Sequence, residues 1–167
     1  MEFNRVAEYI QASLMGKRLR YVLRSCNLID FGFGDTFIRK NRYGKNVEVA
    51  AFALHLQCPF RITRQDRILI GSDDLFFSSS SGDDNMDLRM KDTCILDDKL
   101  KLLQDLFSKE SVTGVSMSPC GDIFLQLSTL NVSAFCTGST GNEMWRFFET
   151  GTDKPHIICT GLGFETA

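Results

Sequence analysis

The chain holds only two histidines, His55 and His156, and each stands three residues before a cysteine, in HLQC and HIIC. His55, Cys58, His156 and Cys159 are together the ligand types of a tetrahedral zinc site. Cys58 with His156, or Cys159 with His55, has the composition of a nucleophile and its base. The spacing opposes both uses. Residues i and i+3 of a regular strand point to opposite faces. Pro59 offers a bend that would turn Cys58 around, but nothing similar interrupts HIIC. No cysteine falls at an evident helix N-terminus, where a thiol would be activated. There is no Gly-x-Ser-x-Gly, phosphate-binding glycine loop or dinucleotide fingerprint, and the Gly-x-Gly of GFGDTF is not followed by a helix. The expectation is a chain with no catalytic residue, no metal and no cofactor.

The same segments support a quieter reading. His55 reads as a buried strand histidine, with Gln57 two residues along on the same face as its partner. Arg61 in CPFR and Arg146 in WRFF each sit beside aromatics. Such arginines stack on rings or form buried ion pairs, and Glu143 and Glu149 are local candidates for Arg146. His55, Gln57, Arg61, Trp145, Arg146 and His156 then make a polar network inside a sheet protein, with packing as its role.

The elements that must position these groups follow from periodicity. Val6, Ile10 and Leu14 share one face of a helix over 2–14, stopped by Gly16. In KRLRYVLRS, Leu19, Tyr21 and Leu23 alternate with Arg18, Arg20, Val22 and Arg24, the pattern of a half-exposed strand. LIDFGFGDTFI adds a second strand, with Gly32 and Gly34 permitting a bulge or close approach. NVEVAAFALHLQC is apolar on both faces at its centre, as a strand covered on both sides is, and Pro59 must end or bulge it. FRIT and RILIG flank the turn RQD. FFSSSSGDDNMDLRMKD reads as a loop. LDDKLKLLQDLFSKE is a helix near 97–109, its Asp97 and Asp98 favouring the N-terminal dipole. Short strands follow to the end, with turn signals about every ten residues. The expectation is one α+β domain, 1–167, with a mainly antiparallel sheet folded into a sandwich or half-barrel.

Length and composition bound the rest. At 167 residues and 43% hydrophobic, the chain can build a core without staples. No apolar run approaches a membrane span or a signal peptide, so a cytoplasmic protein with six free thiols is expected. The net charge is −2, but residues 1–45 carry +5 and residues 71–98 carry −6. That balance lacks the basic footprint of a nucleic-acid binder. DDNMD lacks the twelve-residue grammar of a calcium loop. An acidic segment beside a sheet suits a basic partner, whose approach it would speed. Asp73, Asp74, Asp83, Asp84 and Asp87 are the candidate partner-binding residues.

ALHLQCPFRI, GDIFLQL and EMWRFF followed by PHIICTGLG resemble a group of small bacterial cytosolic proteins. That group carries Ala-Leu-His-x-Gln-Cys-Pro-Trp-Arg, a Gly-Asp-x-x-Leu strand, and Glu-x-Trp-Arg before a Pro-His. Here Phe60 stands where the group has tryptophan. The resemblance implies no particular chemistry. By type the chain also looks like an immunity protein of a contact-dependent inhibition or polymorphic toxin system. That likeness implies a cytosolic protein that binds a cognate toxin domain, such as a nuclease, and occludes its active site, with neither nucleic acid nor membrane as partner. The alternative expectation is a small-ligand binder or enzyme with a pocket near His55, Arg61, Trp145 and His156.

Overall fold

The structure, a computed structural model, describes residues 2–41, 43–79, 87, 89–90 and 92–167. Eleven strands among the described residues form two antiparallel sheets, accompanied by two α-helices and one short 3-10 turn. The α+β sandwich read from the sequence is the observed architecture.

Helix α1, Phe3–Leu14, buries Val6, Ile10 and Leu14, the stripe its periodicity requires. Each such side chain contributes about 2 kcal/mol on burial. Strands β1 (Leu19–Ser25), β2 (Leu28–Lys40) and β3 (Asn46–Leu56) form a meander. Pro59 ends that run, and β4 (Phe60–Arg64) and β5 (Arg67–Gly71) lie in the other sheet. The turn η1, Ser72–Phe76, and helix α2, Ile95–Phe107, follow. Strands β6 (Val112–Met117), β7 (Ile123–Leu127) and β8 (Asn131–Ala134) complete the second sheet. The chain then returns to the first as β9 (Glu143–Glu149), β10 (Ile157–Thr160) and β11 (Gly163–Thr166). The orders are β1-β2-β3-β9-β10-β11 and β5-β4-β8-β7-β6.

One edge of the sandwich is laced shut. Val112 N–H donates to Lys17 O, and Leu19 N–H to Glu110 O, both at 2.9 Å. This edge gives the sandwich its half-barrel character. A single apolar core runs between the inner faces and takes in both helices. It includes Phe31 against Phe60 across the sheets, edge to face at 6.4 Å, and the fully buried Trp145.

Two strands differ from their sequence patterns. A bulge between Leu19 and Tyr21 reverses the alternation of β1, so Val22 and Arg24 point inward and Leu23 is left exposed. An extra residue in a strand exchanges its two faces. In β3 the outer face has no second layer of described residues over it. Ala53 lies instead in one cross-strand row with Tyr21, Gly32 and Phe148, and the Tyr21 ring occupies the space a side chain at Gly32 would need. Helix α2 begins at Ile95 rather than 97, and this shift makes Cys94 its N-cap, contrary to the expectation that no cysteine marks a helix start. Cys94 is fully buried, and burial pushes its thiol up from the ordinary value.

Candidate functional site

Strand alternation splits the two His-x-x-Cys segments across the six-stranded sheet. Cys58 and Cys159 are buried in the core, while His55 and His156 sit on the outer face with the aromatic ring of Phe148 between them. His55 meets that ring edge-on at 4.9 Å and His156 stacks on it at 4.3 Å. The four side chains therefore cannot share one ion. Neither Cys–His pairing reaches hydrogen-bond distance, because the sheet itself stands between the partners. Among the described residues, no group of three or more His, Cys, Asp or Glu is arranged to hold a metal.

Pairing register builds the outer face. Asp30, His55 and Arg146 lie directly opposite one another on β2, β3 and β9. His55 Nε2 is 3.5 Å from Asp30 Oδ1, an oxygen that is shielded from solvent and has no hydrogen-bond partner among the described residues. Asp30, not Gln57, is thus the neighbour of His55, and His55 is half-exposed rather than buried. Gln57 instead donates to Glu143 Oε1 at 3.4 Å. Arg146 forms a two-pronged bond with Glu143, at 3.1 and 2.7 Å, while Glu149 pairs with Lys154 at 2.6 Å.

The remaining Arg146 nitrogen, Nη1, lies 3.2 Å from His156 Nδ1. A guanidinium only donates, so Nδ1 must accept, and the imidazole is neutral with its proton on Nε2. Burial, the Arg146 charge and His55 hold the His156 pKa below its ordinary value. Burial and the Asp30 charge raise that of Tyr21. These groups line an open groove of about 690 Å³ bounded by Tyr21, Asp30, Arg39, His55, Phe148 and His156.

Two members of the expected network lie elsewhere. Trp145 faces the core, where its Nε1–H donates to Gly121 O at 2.7 Å. Arg61 projects from the other sheet and covers the Phe135 ring at 5.4 Å, as its aromatic neighbours suggested. Among the described residues, His55, Arg61, Trp145 and His156 therefore do not converge on one pocket. The groove keeps only the two histidines. Its other walls, Tyr21, Asp30 and Phe148, gave no chemical signal in sequence beyond a lone carboxylate within the apolar run LIDFGF.

The acidic segment is partly neutralised by cations of the same chain. Asp74 Oδ2 accepts from Gly71 N–H and pairs with Lys99 at 2.8 Å. Asp87 pairs with Arg89 and Asp92 with Lys101. Asp97 is not a surface dipole partner. It is buried against Arg24, which donates to both carboxylate oxygens at 2.7 and 2.6 Å. Lys99, Lys101 and Arg24 all come from outside residues 71–98, so the −6 of that segment is halved. Asp83 and Asp84 lie outside the described residues. Asp73 is exposed and has no ion-pair partner among the described residues.

Asp73 borders a second, apolar cleft of about 230 Å³ at the end of the sandwich. Leu56, Pro59, Phe60, Leu75 and Leu96 form its walls. Phe76, at its lip, and Phe77 are 65% and 59% exposed. Consecutive exposed aromatics beside an apolar cleft are uncommon on a surface that meets only water.

Comparison of the chain with protein-family models, with curated proteins and with solved structures returned no match. No helix among the described residues is long and apolar enough to cross a membrane.

Proposed function

We propose that this protein is a binding module of the immunity type, which captures a basic toxin domain in the cytoplasm and covers its active site. The observation that carries the reading is the end of the sandwich formed by η1 and the β3–β4 crossing. There an apolar cleft, two exposed phenylalanines and the exposed carboxylate of Asp73 lie together. Protein interfaces have this anatomy, an apolar centre with aromatic anchors and a charged rim. Since Asp74 and Asp87 are held by cations of the same chain, Asp73 is the carboxylate of the described set best placed to meet a basic partner. The resemblance in type to immunity proteins supports the same reading.

The partner expected is the C-terminal domain of a large secreted protein encoded beside this chain's gene. Co-expression should protect cells from that domain. Phe76→Ala with Phe77→Ala should weaken the complex at least tenfold, about 1.4 kcal/mol, mainly through faster dissociation. Asp73→Asn should slow association, more at low salt than at high. A neighbouring gene of unrelated type, or protection and rates unchanged in both variants, would refute the reading.

The outer groove favours a second reading, a site for a small polar ligand. Its specific observation is the convergence of both histidines on Phe148 beside a shielded Asp30 oxygen that has no hydrogen-bond partner among the described residues. A ligand seated there would raise the melting temperature of the native protein but not of His55→Ala/His156→Ala. A panel of metabolites that leaves the native protein unmoved would remove this second reading.

A further inference from the structure

Three thiols that the sequence scatters over a hundred residues meet inside the sandwich. Cys58 comes from the β3–β4 crossing, Cys136 from the end of β8, and Cys159 from β10. Cys136 Sγ lies 3.6 Å from Cys159 Sγ, and Cys58 is close enough to couple to it electrostatically. The backbone of Gly121 closes the group. Its φ of +94° suits glycine, and a Cβ there would collide with Cys159 Sγ and stand 3.2 Å from Cys136 Sγ. Gly121 O takes hydrogen bonds from Trp145 Nε1, at 2.7 Å, and from Cys136 Sγ, at 3.2 Å.

The three are not equivalent. Cys58 and Cys159 are buried, whereas Cys136 is half-exposed. An oxidant from solvent therefore reaches Cys136 before either neighbour. The neighbouring thiols of Cys159 and Cys58 draw the Cys136 pKa down, to about 4. Interaction with Cys136, together with burial, pushes Cys159 and Cys58 up. The Gly121 carbonyl and the Asp122 carboxylate oppose ionisation of Cys136, but the two neighbouring thiols outweigh them. Exposure and thiolate character together set where a cysteine oxidises.

We propose that Cys136, Cys159 and Cys58 form a hydroperoxide-responsive thiol centre, in which Cys136 is oxidised first and Cys159 closes a disulfide onto it. In the first step the Cys136 sulfur attacks the terminal oxygen of a hydroperoxide. The O–O bond breaks, Cys136 becomes a sulfenic acid, and the alkoxide takes a proton and leaves as an alcohol, or as water when the oxidant is hydrogen peroxide. In the second step the Cys159 sulfur attacks Cys136 Sγ. The S–O bond breaks, and hydroxide leaves with the Cys159 proton as water. Two thiols are thereby oxidised by two electrons and one hydroperoxide is reduced. The sulfurs must close from 3.6 Å to about 2.05 Å, a movement within reach of side-chain rotation at the ends of β8 and β10. A dithiol reductant returns the centre to its starting state.

The exposed cysteines, Cys26 and Cys120, are internal controls. The native protein is treated with limiting hydrogen peroxide, alkylated and mapped by mass spectrometry. Cys136 should be consumed about tenfold faster than Cys26 or Cys120. A Cys136–Cys159 linked peptide should accumulate, with the loss of two hydrogens. Cys159→Ser should leave Cys136 as a sulfenic acid trapped by dimedone. Trp145, the only tryptophan, pairs across the ladder with Cys159, so its emission should change with the same rate constant as disulfide formation. Cys26 or Cys120 reacting as fast as Cys136 in the native protein would overturn the proposal. So would stoichiometric zinc in the purified protein that Cys136→Ser releases, since the thiols would then be metal ligands. The wild-type measurements stand even where a serine variant fails to fold.

Discussion

Removing the Asp97 charge should destabilise this fold more than its place in a helix-start sequence suggests. The Arg24 and Asp97 side chains are 2% and 8% exposed. Arg24 also donates to Cys26 O at 2.8 Å and Met90 O at 2.6 Å. One guanidinium thus ties the β1–β2 turn, the segment before α2 and the helix itself. Burial alone would raise the Asp97 pKa. Hydrogen bonds from Arg24, from the Cys94 thiol and from Thr93 N–H outweigh it and lower the pKa from 3.8 to about 2. At about 1.4 kcal/mol per unit, that displacement corresponds to about 2 kcal/mol. A carboxylate depressed in the folded state contributes its stability above the unfolded value, and loses it as the pH falls from about 4 toward 2. Asp97→Asn also leaves Arg24 charged and buried, which costs about 3 kcal/mol at neutral pH. The melting temperature should fall by roughly 6–12 °C. Urea titrations followed by Trp145 emission should show the native advantage over Asp97→Asn shrinking by about 2 kcal/mol between pH 5 and pH 2. Arg24→Met with Asp97→Leu should recover part of the loss, since apolar replacement removes the buried charge but not the need of the Cys26 and Met90 carbonyls for a donor. A cost under about 1 kcal/mol at pH 7, with parallel pH curves, would refute the assignment of a buried pair.

Three other predictions concern the site and its support. Arg146→Met should raise the midpoint of the His156 imidazole resonances in an NMR titration, because a positive charge 3.2 Å from Nδ1 is removed; an unmoved midpoint would show that the contact is absent in solution. Gly161→Ala should cost about 2–3 kcal/mol by chemical denaturation, since its Cβ would meet the backbone of Gly138 and Thr140. Gly32→Ala should cost less, because the obstacle is the Tyr21 ring, which can swing outward; the reverse order would contradict that distinction. Thr129→Val should cost about 1–3 kcal/mol, because buried Glu110 receives both its short hydrogen bonds from Thr129, one from N–H and one from the hydroxyl; a neutral effect would mean that water replaces the hydroxyl.

Local pattern was enough for the elements. The stripe of Val6, Ile10 and Leu14, the stop at Gly16, the break at Pro59 and the turn signals after residue 110 all act within a few residues of themselves. The sequence shows them because helix and strand periods are local properties. The same alternation already separated each histidine from its cysteine, and the sheet keeps them on opposite faces. Reading failed where a single local event had a distant effect. One bulged residue in β1 turned Arg24 into the core, and nothing in KRLRYVLRS reports a bulge.

The sites belong to the tertiary structure because they are made by register and by sheet crossing. Asp30 meets His55 only because β2 and β3 pair at that offset, and Phe148 lies between the histidines only because β9 joins β3 from over ninety residues away. Asp74, Asp92 and Asp97 looked like a free acidic pole, yet the cations that occupy them arrive from other elements. Cys136 carried no local sign of reactivity. Its neighbours at 58 and 159 are contributed by two other parts of the chain, and only the closed sandwich holds all three sulfurs together. Composition and period depend on neighbours along the chain, whereas a site depends on which strands the folded chain sets side by side.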